Sequence, residues 1–266
     1  MQKGQRWPLK FRAVFISDVH LGSRACRADL LLEFLYSVDA ETVYLVGDIV
    51  DFWAMRTGAY WPQEHNNVLR RILGIAKRGT RVVYIPGNHD EVAREHVGSW
   101  FGNILVERET IHVTARGERL LVVHGDEFDA AVRCSPMLEW IGNLMYTATI
   151  GLNCVFNGLR RLLGFPYWSL AGYLKHRVAN AMQHIERFEH AAAHAARRRS
   201  LDGIVCGHIH RAEMRNIDGI RYCNDGDWVE TCSALVEDGN GRLSVLHWPQ
   251  LRDDLRIQDI AVERAA

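Results

Sequence analysis

Five short stretches of this 266-residue chain gather side chains that can bind a cation: Asp18-Val19-His20, Gly47-Asp48, Gly87-Asn88-His89-Asp90, His124-Gly125-Asp126 and Gly207-His208-Ile209-His210. Imidazole, carboxylate and amide donors without thiolates suit a borderline first-row divalent metal. In Asp-x-His and His-x-His on extended chain, the period of two sends both donors to one face. A glycine beside a donor lets the backbone approach an ion closely. One such stretch alone would be an ordinary loop. Five in succession, each closing an apolar run, predict a metal site assembled from distant parts of the chain. The 13 histidines of the composition point the same way, imidazole being the commonest metal ligand.

Something rigid must position these donors. Apolar, β-branched runs at residues 13–17, 42–47, 81–86, 119–125 and 203–207 read as buried strands, each delivering one motif at its end. Loops at such strand ends are where open α/β sheets place ligands. Helical periodicity at 25–38 and 63–78 alternates with the first strands, as in an α/β sheet. After Gly207 the pattern changes to short strands near 212–217, 220–224, 231–236 and 243–248. Turns such as Asp218-Gly219 divide them, predicting a second, hairpin-rich sheet. The stretch between, 129–200, reads as helical and as an insertion, dividing the chain into a core of 1–128 and 201–266 with a cap of 129–200.

Composition narrows the class. Apolar residues make up 48% and charged residues 24%, ordinary for a globular protein with a sizeable core. Lys+Arg equals Asp+Glu at 32 each, so a protein held to phosphate backbones by bulk charge is not expected. No feature calls for an obligate protein partner. Six scattered cysteines without a CxxC read as reduced, mostly buried thiols, and the polar start of the chain argues against secretion, so the expected location is the cytoplasm. Residues 140–159 carry no charge, which raises a membrane span. A single crossing there would put His208 and His210 on the other side of the bilayer from Asp18 and His20, so an amphipathic cap is expected instead.

The residues D-V-H, G-D-I-V-D, G-N-H-D, H-G-D and G-H-I-H, in order across residues 11–210, resemble the motif set of the calcineurin-like metallophosphoesterase superfamily. The resemblance implies a four-layer αββα sandwich of α/β or α+β class, here with an inserted helical cap, and a dinuclear metal centre. It implies Asp18, His20 and His210 on the first metal, Asn88, His124 and His208 on the second, and Asp48 bridging both. His89 falls where the family stabilises phosphate or protonates the leaving group, oriented by Asp90. Two divalent ions can clamp the attacking and leaving oxygens of an in-line displacement at phosphorus.

S-D-V-H-L-G-S at 17–23, G-D-I-V-D-F-W at 47–53, H-G-D-E-F-D at 124–129 and N-D-G-D-W-V-E at 224–230 further resemble the bacterial UDP-2,3-diacylglucosamine pyrophosphatase branch and its paralogues. That branch implies a manganese enzyme of lipid A biosynthesis, with iron or zinc as alternative metals. It splits a lipid-linked nucleotide sugar into UMP and a lipid 1-phosphate. The alternative is the same centre acting on another phosphomonoester or phosphodiester. The defined branch enzyme carries G-N-R-D where this chain has His89. Asn88, His89 and His208 are expected at the substrate, with Lys175. Arg133 reads equally as a phosphate or uridine contact and as a surface salt-bridge partner. The cap's apolar stripe either packs on its neighbouring helix or meets acyl chains, giving a peripheral contact with the inner face of the membrane. His184, His190 and His194 read as surface residues, and Asp225 and Asp227 as site supports or turn carboxylates.

Overall fold

The structure, a computed structural model, describes residues 8–129 and 179–255. Arg133, Lys175 and the uncharged stretch 140–159 lie outside the described residues. Two sheets face each other. The first has seven strands: β1 (Leu9–Ile16), β2 (Val38–Val46), β3 (Arg81–Ile85), β4 (Trp100–Phe101), β5 (Ile104–Val106), β11 (Ser233–Glu237) and β12 (Leu243–His247), in the order β12-β11-β1-β2-β3-β5-β4. The second has five: β6 (Thr110–Val113), β7 (Arg119–Val122), β8 (Gly203–Cys206), β9 (Glu213–Ile217) and β10 (Ile220–Asn224), in the order β6-β7-β8-β10-β9. The chain's central strands run parallel: β1, β2, β3 and β5 in one sheet, β7, β8 and β10 in the other.

The continuous apolar runs follow from burial of both faces of each sheet. Along β1, Ala13 and Phe15 point into the core between the sheets, while Val14 and Ile16 point the other way toward the helices. On β2, Tyr44 and Val46 join the inter-sheet core; Val43 and Leu45 join the helix side. On β7, Leu120 and Val122 face the first sheet and Leu121 the outer helix. Helices α1 (Ala28–Ser37) and α3 (Gln63–Lys77) cover the first sheet. The latter buries His65, Val68, Ile72 and Ile75 at helical spacing. Helix α5 (Ala179–Arg198) covers the second sheet with Ile185, Phe188, Ala192 and Ala196. The layers are therefore helix, sheet, sheet, helix.

Three expectations change in detail. Strand β2 begins at Val38, earlier than its apolar run, because Asp39 and Ala40 pair with Lys10 and Phe11 of β1 at a partly exposed end. Strands β4, β5 and β6 carry too short or too exposed a pattern to stand out in sequence. Helix α5 falls in the stretch read as cap, yet its apolar stripe is a layer of the core. Cys26, Cys206, Cys223 and Cys232 are free thiols. Among the described residues, no helix is long and apolar enough to cross a membrane.

Candidate metal centre

The centre forms where β1, β2, β3, β7 and β8 end together. The loops after β1 and β2 zip alongside each other: the N–H groups of Val19 and His20 both donate to the Asp48 carbonyl, and Leu21 N–H to the Ile49 carbonyl. This fixes Asp18, His20 and Asp48 relative to one another. Asp90 locks the third loop on, its carboxylate accepting N–H bonds from Gly87 and Ile49 at 2.6 and 2.8 Å. Phe188 of α5 lies over His208, ring centroids 5.9 Å apart, so the outer helix supports the fifth motif.

The backbone is bent to this purpose. Among the described residues eight non-glycine residues have positive φ, and five are Asp18, His20, Asp48, His208 and His210 at 50° to 69°. Such conformations cost about 1–3 kcal/mol each and persist where surroundings over-determine them, typically at functional sites. Two glycines are required by proximity alone. A Cβ on Gly87 would lie 2.7 Å from His124 Nε2 and overlap Asp48 Oδ1; one on Gly207 would collide with Ser17 Oγ and Asp18 Oδ2.

The donors converge in two groups. Asp18, His20 and His210 offer atoms within 4.8 Å of one another, and so do Asp48, His124 and His208. Asp48 Oδ2 stands 3.4 Å from His124 Nε2 and 3.9 Å from His20 Nε2, so this carboxylate faces both groups. Asn88 Oδ1 completes the second group at 3.2 Å from His124 Nε2.

Whether a cation fits is decided by lone pairs. His124 Nδ1–H donates to the Val46 carbonyl at 2.9 Å, which leaves Nε2 an acceptor facing Asn88 Oδ1 and Asp48 Oδ2, two more acceptors. His20 Nδ1–H donates to Asp51 Oδ2 at 3.1 Å, leaving Nε2 toward His210 Nε2 at 3.4 Å. Asp18 Oδ1 stands 3.1 Å from His210 Nε2. Lone pairs converging as those of His124, Asn88 and Asp48 do call for electropositive charge between them, and the donor set suits divalent cations. The backbone carbonyl and the carboxylate that fix the two histidine tautomers are the usual outer partners of metal-binding imidazoles.

Without a cation, protons take its place. Burial disfavours charge on His20, yet Asp51, Asp48 and Asp18 outweigh it and hold the imidazole at about 9. His124 is likewise pushed up by Asp48 against its burial. Asp18 and Asp48 are held below the usual carboxylate range, the surrounding imidazoles overcoming the effect of burial.

His89 sits beside the first group with its side chain one-quarter exposed, and its backbone N–H donates to Asp48 Oδ1 at 2.8 Å. The residue that orients its ring is not Asp90. Asp90 is wholly buried and spends its oxygens on backbone N–H groups, whereas His89 Nδ1 meets Asp51 Oδ1 at 2.9 Å. Asp51 thus grips His20 and His89 with its two oxygens while capping α2 (Phe52–Thr57) through the Ala54 N–H. Those bonds make His20, Asp51 and His89 a hydrogen-bonded triad. Trp53 covers the outer face of His89, centroids 4.4 Å apart. Asp129 plays a matching part for His208, with Oδ2 2.7 Å from Nε2. Asp51 and Asp129 stand in the G-D-I-V-D and H-G-D-E-F-D runs, where local spacing gives no sign of the rings they hold. Asp227 is a turn carboxylate, accepting N–H bonds from Val229, Glu230 and Thr231.

The sequence pattern of the calcineurin-like phosphoesterase family matches residues 11–212. The chain belongs to that family. Over nearly its full length this calcineurin-like phosphoesterase is similar to a UDP-2,3-diacylglucosamine hydrolase of Neisseria meningitidis, 25% identical over 252 residues, covering 88% of this chain and 97% of the relative. A UDP-2,3-diacylglucosamine hydrolase of Aromatoleum aromaticum is 24% identical over 256 residues, covering 86% of this chain and 94% of that one. Among solved structures, the phosphoesterase Yfce of E. coli is 16% identical with a TM-score of 0.42, covering 88% of this chain and 98% of that one. As a member of the family, the chain is a metal-dependent phosphoesterase. His190 and His194 are exposed on α5, as the sequence suggests, and His184 Nε2 lies 3.4 Å from Asp129 Oδ1.

Proposed function

We propose that this phosphoesterase hydrolyses the pyrophosphate of a lipid-linked nucleotide sugar of the UDP-2,3-diacylglucosamine type, releasing UMP and a lipid 1-phosphate, with two manganese ions. The observation that carries the reaction is the position of Asp48, facing two groups of metal-binding side chains whose donor atoms lie within 4.8 Å of one another in each group. The substrate class is supported by relatives of that name aligned along nearly the whole chain. Asp18, His20 and His210 would hold one ion and Asn88, His124 and His208 the other, with Asp48 shared. Bound there, divalent cations supply Lewis acidity toward phosphoryl oxygen and water.

The chain's own groups do the rest. Val46, Asp51 and Asp129 hold the ring tautomers of His124, His20 and His208. Asp51 anchors His89 through Nδ1, and among the described residues no bond engages its Nε2. With Nδ1–H spent on Asp51, that nitrogen carries a hydrogen only in the imidazolium, and in that form it donates to a non-bridging phosphoryl oxygen or to the departing oxygen, where charge develops. Trp53 shields the outer face of the ring from water. Arg133 and Lys175 are proposed to meet the substrate from the cap, which rests against the inner face of the membrane.

Incubation of the purified protein with UDP-2,3-diacylglucosamine and Mn²⁺ tests this reading. UMP release above an Asp48→Ala control is expected. None above that control would reject this substrate and favour another phosphomonoester or phosphodiester.

A further inference from the structure

Behind Asp18 lies a second acid for which the proposed reaction has no use. Asp225, at the end of β10, is fully buried, and so is Ser17, at the end of β1. The Ser17 oxygen stands 2.5 Å from Asp18 Oδ2, 2.6 Å from Asp225 Oδ1 and 3.1 Å from the Gly226 carbonyl. A hydroxyl has one proton to donate. Two ionised carboxylates at these distances would leave one pair of oxygens in contact with no hydrogen between them. One of the carboxyls must therefore carry a proton.

The surroundings say which. Asp18 Oδ2 also accepts the His208 N–H at 2.8 Å, so two donors already serve this oxygen and it needs no proton of its own. Among the described residues no hydrogen-bond partner reaches the buried Asp225 Oδ2, an arrangement that favours the neutral acid. Burial accordingly pushes the Asp225 carboxyl well up.

We infer that Asp225 is a neutral carboxylic acid that acts as a positioning residue for the metal centre, donating to Ser17 Oγ so that the Ser17 hydroxyl proton is aimed at Asp18 Oδ2. With Oδ2 held by Ser17 and by the His208 N–H, Asp18 presents Oδ1 to the His20 and His210 group. The relay joins the two sheets, since Ser17 follows a strand of the first and Asp225 a strand of the second. Its loop is built for the purpose. Asn224 Nδ2 donates to the Gly207 carbonyl at 2.6 Å, Gly226 N–H to Asn224 Oδ1 at 3.0 Å, and Ser233 Oγ to the Asp225 carbonyl at 2.9 Å. The inference rests on the reading of Asp18 as a metal ligand.

Mn²⁺ titration calorimetry on metal-stripped full-length protein tests it, with circular dichroism of each variant as the control for folding. Ser17→Ala should weaken Mn²⁺ binding by about 10–100-fold, the usual effect of removing an outer partner of a ligand. Asp225→Ala should do the same, because the Ser17 hydroxyl then turns to the Gly226 carbonyl. Asp225→Asn keeps a neutral donor at Ser17 Oγ and should restore the affinity. The infrared difference spectrum between wild type and Asp225→Asn should show loss of the carbonyl stretch of a protonated carboxylic acid. An Asn variant as impaired as the Ala variant, or a spectrum without that band, overturns the relay. Failure of the wild type to bind Mn²⁺ would instead overturn the metal centre beneath it.

Discussion

Among the described residues, two buried clusters of histidine and carboxylate are finished differently. One is the centre at the strand ends. The other is a clasp within the sandwich, where His112 of β6 meets Glu237 of β11 at 2.6 Å and Tyr44 of β2 at 3.1 Å. In the clasp every donor finds an acceptor. His112 Nε2–H donates to Glu237 Oε2, the Tyr44 hydroxyl donates to His112 Nδ1, and Glu237 Oε1 accepts from Arg12 and the Ala115 N–H. Phe15 stacks on Tyr44 at 4.7 Å and meets His112 edge-on, sealing the group. In the centre His124 Nε2 faces two oxygens, Asn88 Oδ1 and Asp48 Oδ2, and five of the gathered residues hold left-handed backbone. The same residue types thus do opposite things. A cluster complete in itself ties two sheets together, whereas an incomplete one on a strained backbone is built for something the chain does not supply.

The sharpest break of this contrast is Asp48→Ala. It should lower kcat/KM by about 10²–10³-fold, the scale for removing one key electrostatic group. A kcat/KM within a few-fold of wild type would mean that the centre is a structural cluster after all. Glu237→Ala should act the other way round. Chemical denaturation should show a loss of about 3 kcal/mol, the low end for breaking a buried ion pair because Arg12 can turn to solvent, with Mn²⁺ affinity preserved. Asp51→Asn comes next. Its loss of grip on His20 and His89 should weaken metal binding or turnover by about 10–100-fold, read by calorimetry and initial rates.

Proton linkage separates the two clusters by sign. His20 without metal is held at about 9, above its unfolded value of 6.5, so its contribution to metal-free stability is whole below pH 6.5 and is lost as pH rises through about 9. Burial holds His112 below 6.5 despite Glu237, so its contribution is whole above pH 6.5 and is lost as pH falls toward the lowered value. Denaturation of metal-stripped His20→Asn and His112→Asn variants across pH 5–9 should remove opposite slopes, each bounded by about 1.4 kcal/mol per pH unit. Slopes of one sign would erase the distinction. For the same reason Mn²⁺ uptake at neutral pH should release protons, seen as buffer-dependent calorimetric heat. The smallest effect belongs to His190→Ala and His194→Ala. These exposed residues should leave stability within about 0.5 kcal/mol and metal binding unaltered.

Much of this was legible in the chain. Runs such as Val43–Val46 and Leu120–Val123 are apolar on both faces and could only be doubly covered strands, and a donor motif closing each run announces a site at the strand ends. Residue type and local spacing carry that information, because alternation and turn chemistry act over a few neighbours. Which carboxylate grips His89 was a different matter. Asp90 is adjacent in sequence, but its oxygens are drawn inward by N–H groups of the neighbouring loop, and Asp51, thirty-eight residues away, takes the ring. The clasp around His112, the run of donors from Asp225 through Ser17 to Asp18, and the place of α5 as an outer layer of the core were likewise settled by packing. Sequence determined what chemistry the protein can do and roughly where along each strand. Only the tertiary structure decided which polar groups satisfy one another and which are left waiting for a cation, because hydrogen bonding between buried groups depends on distances set by two sheets closing on each other.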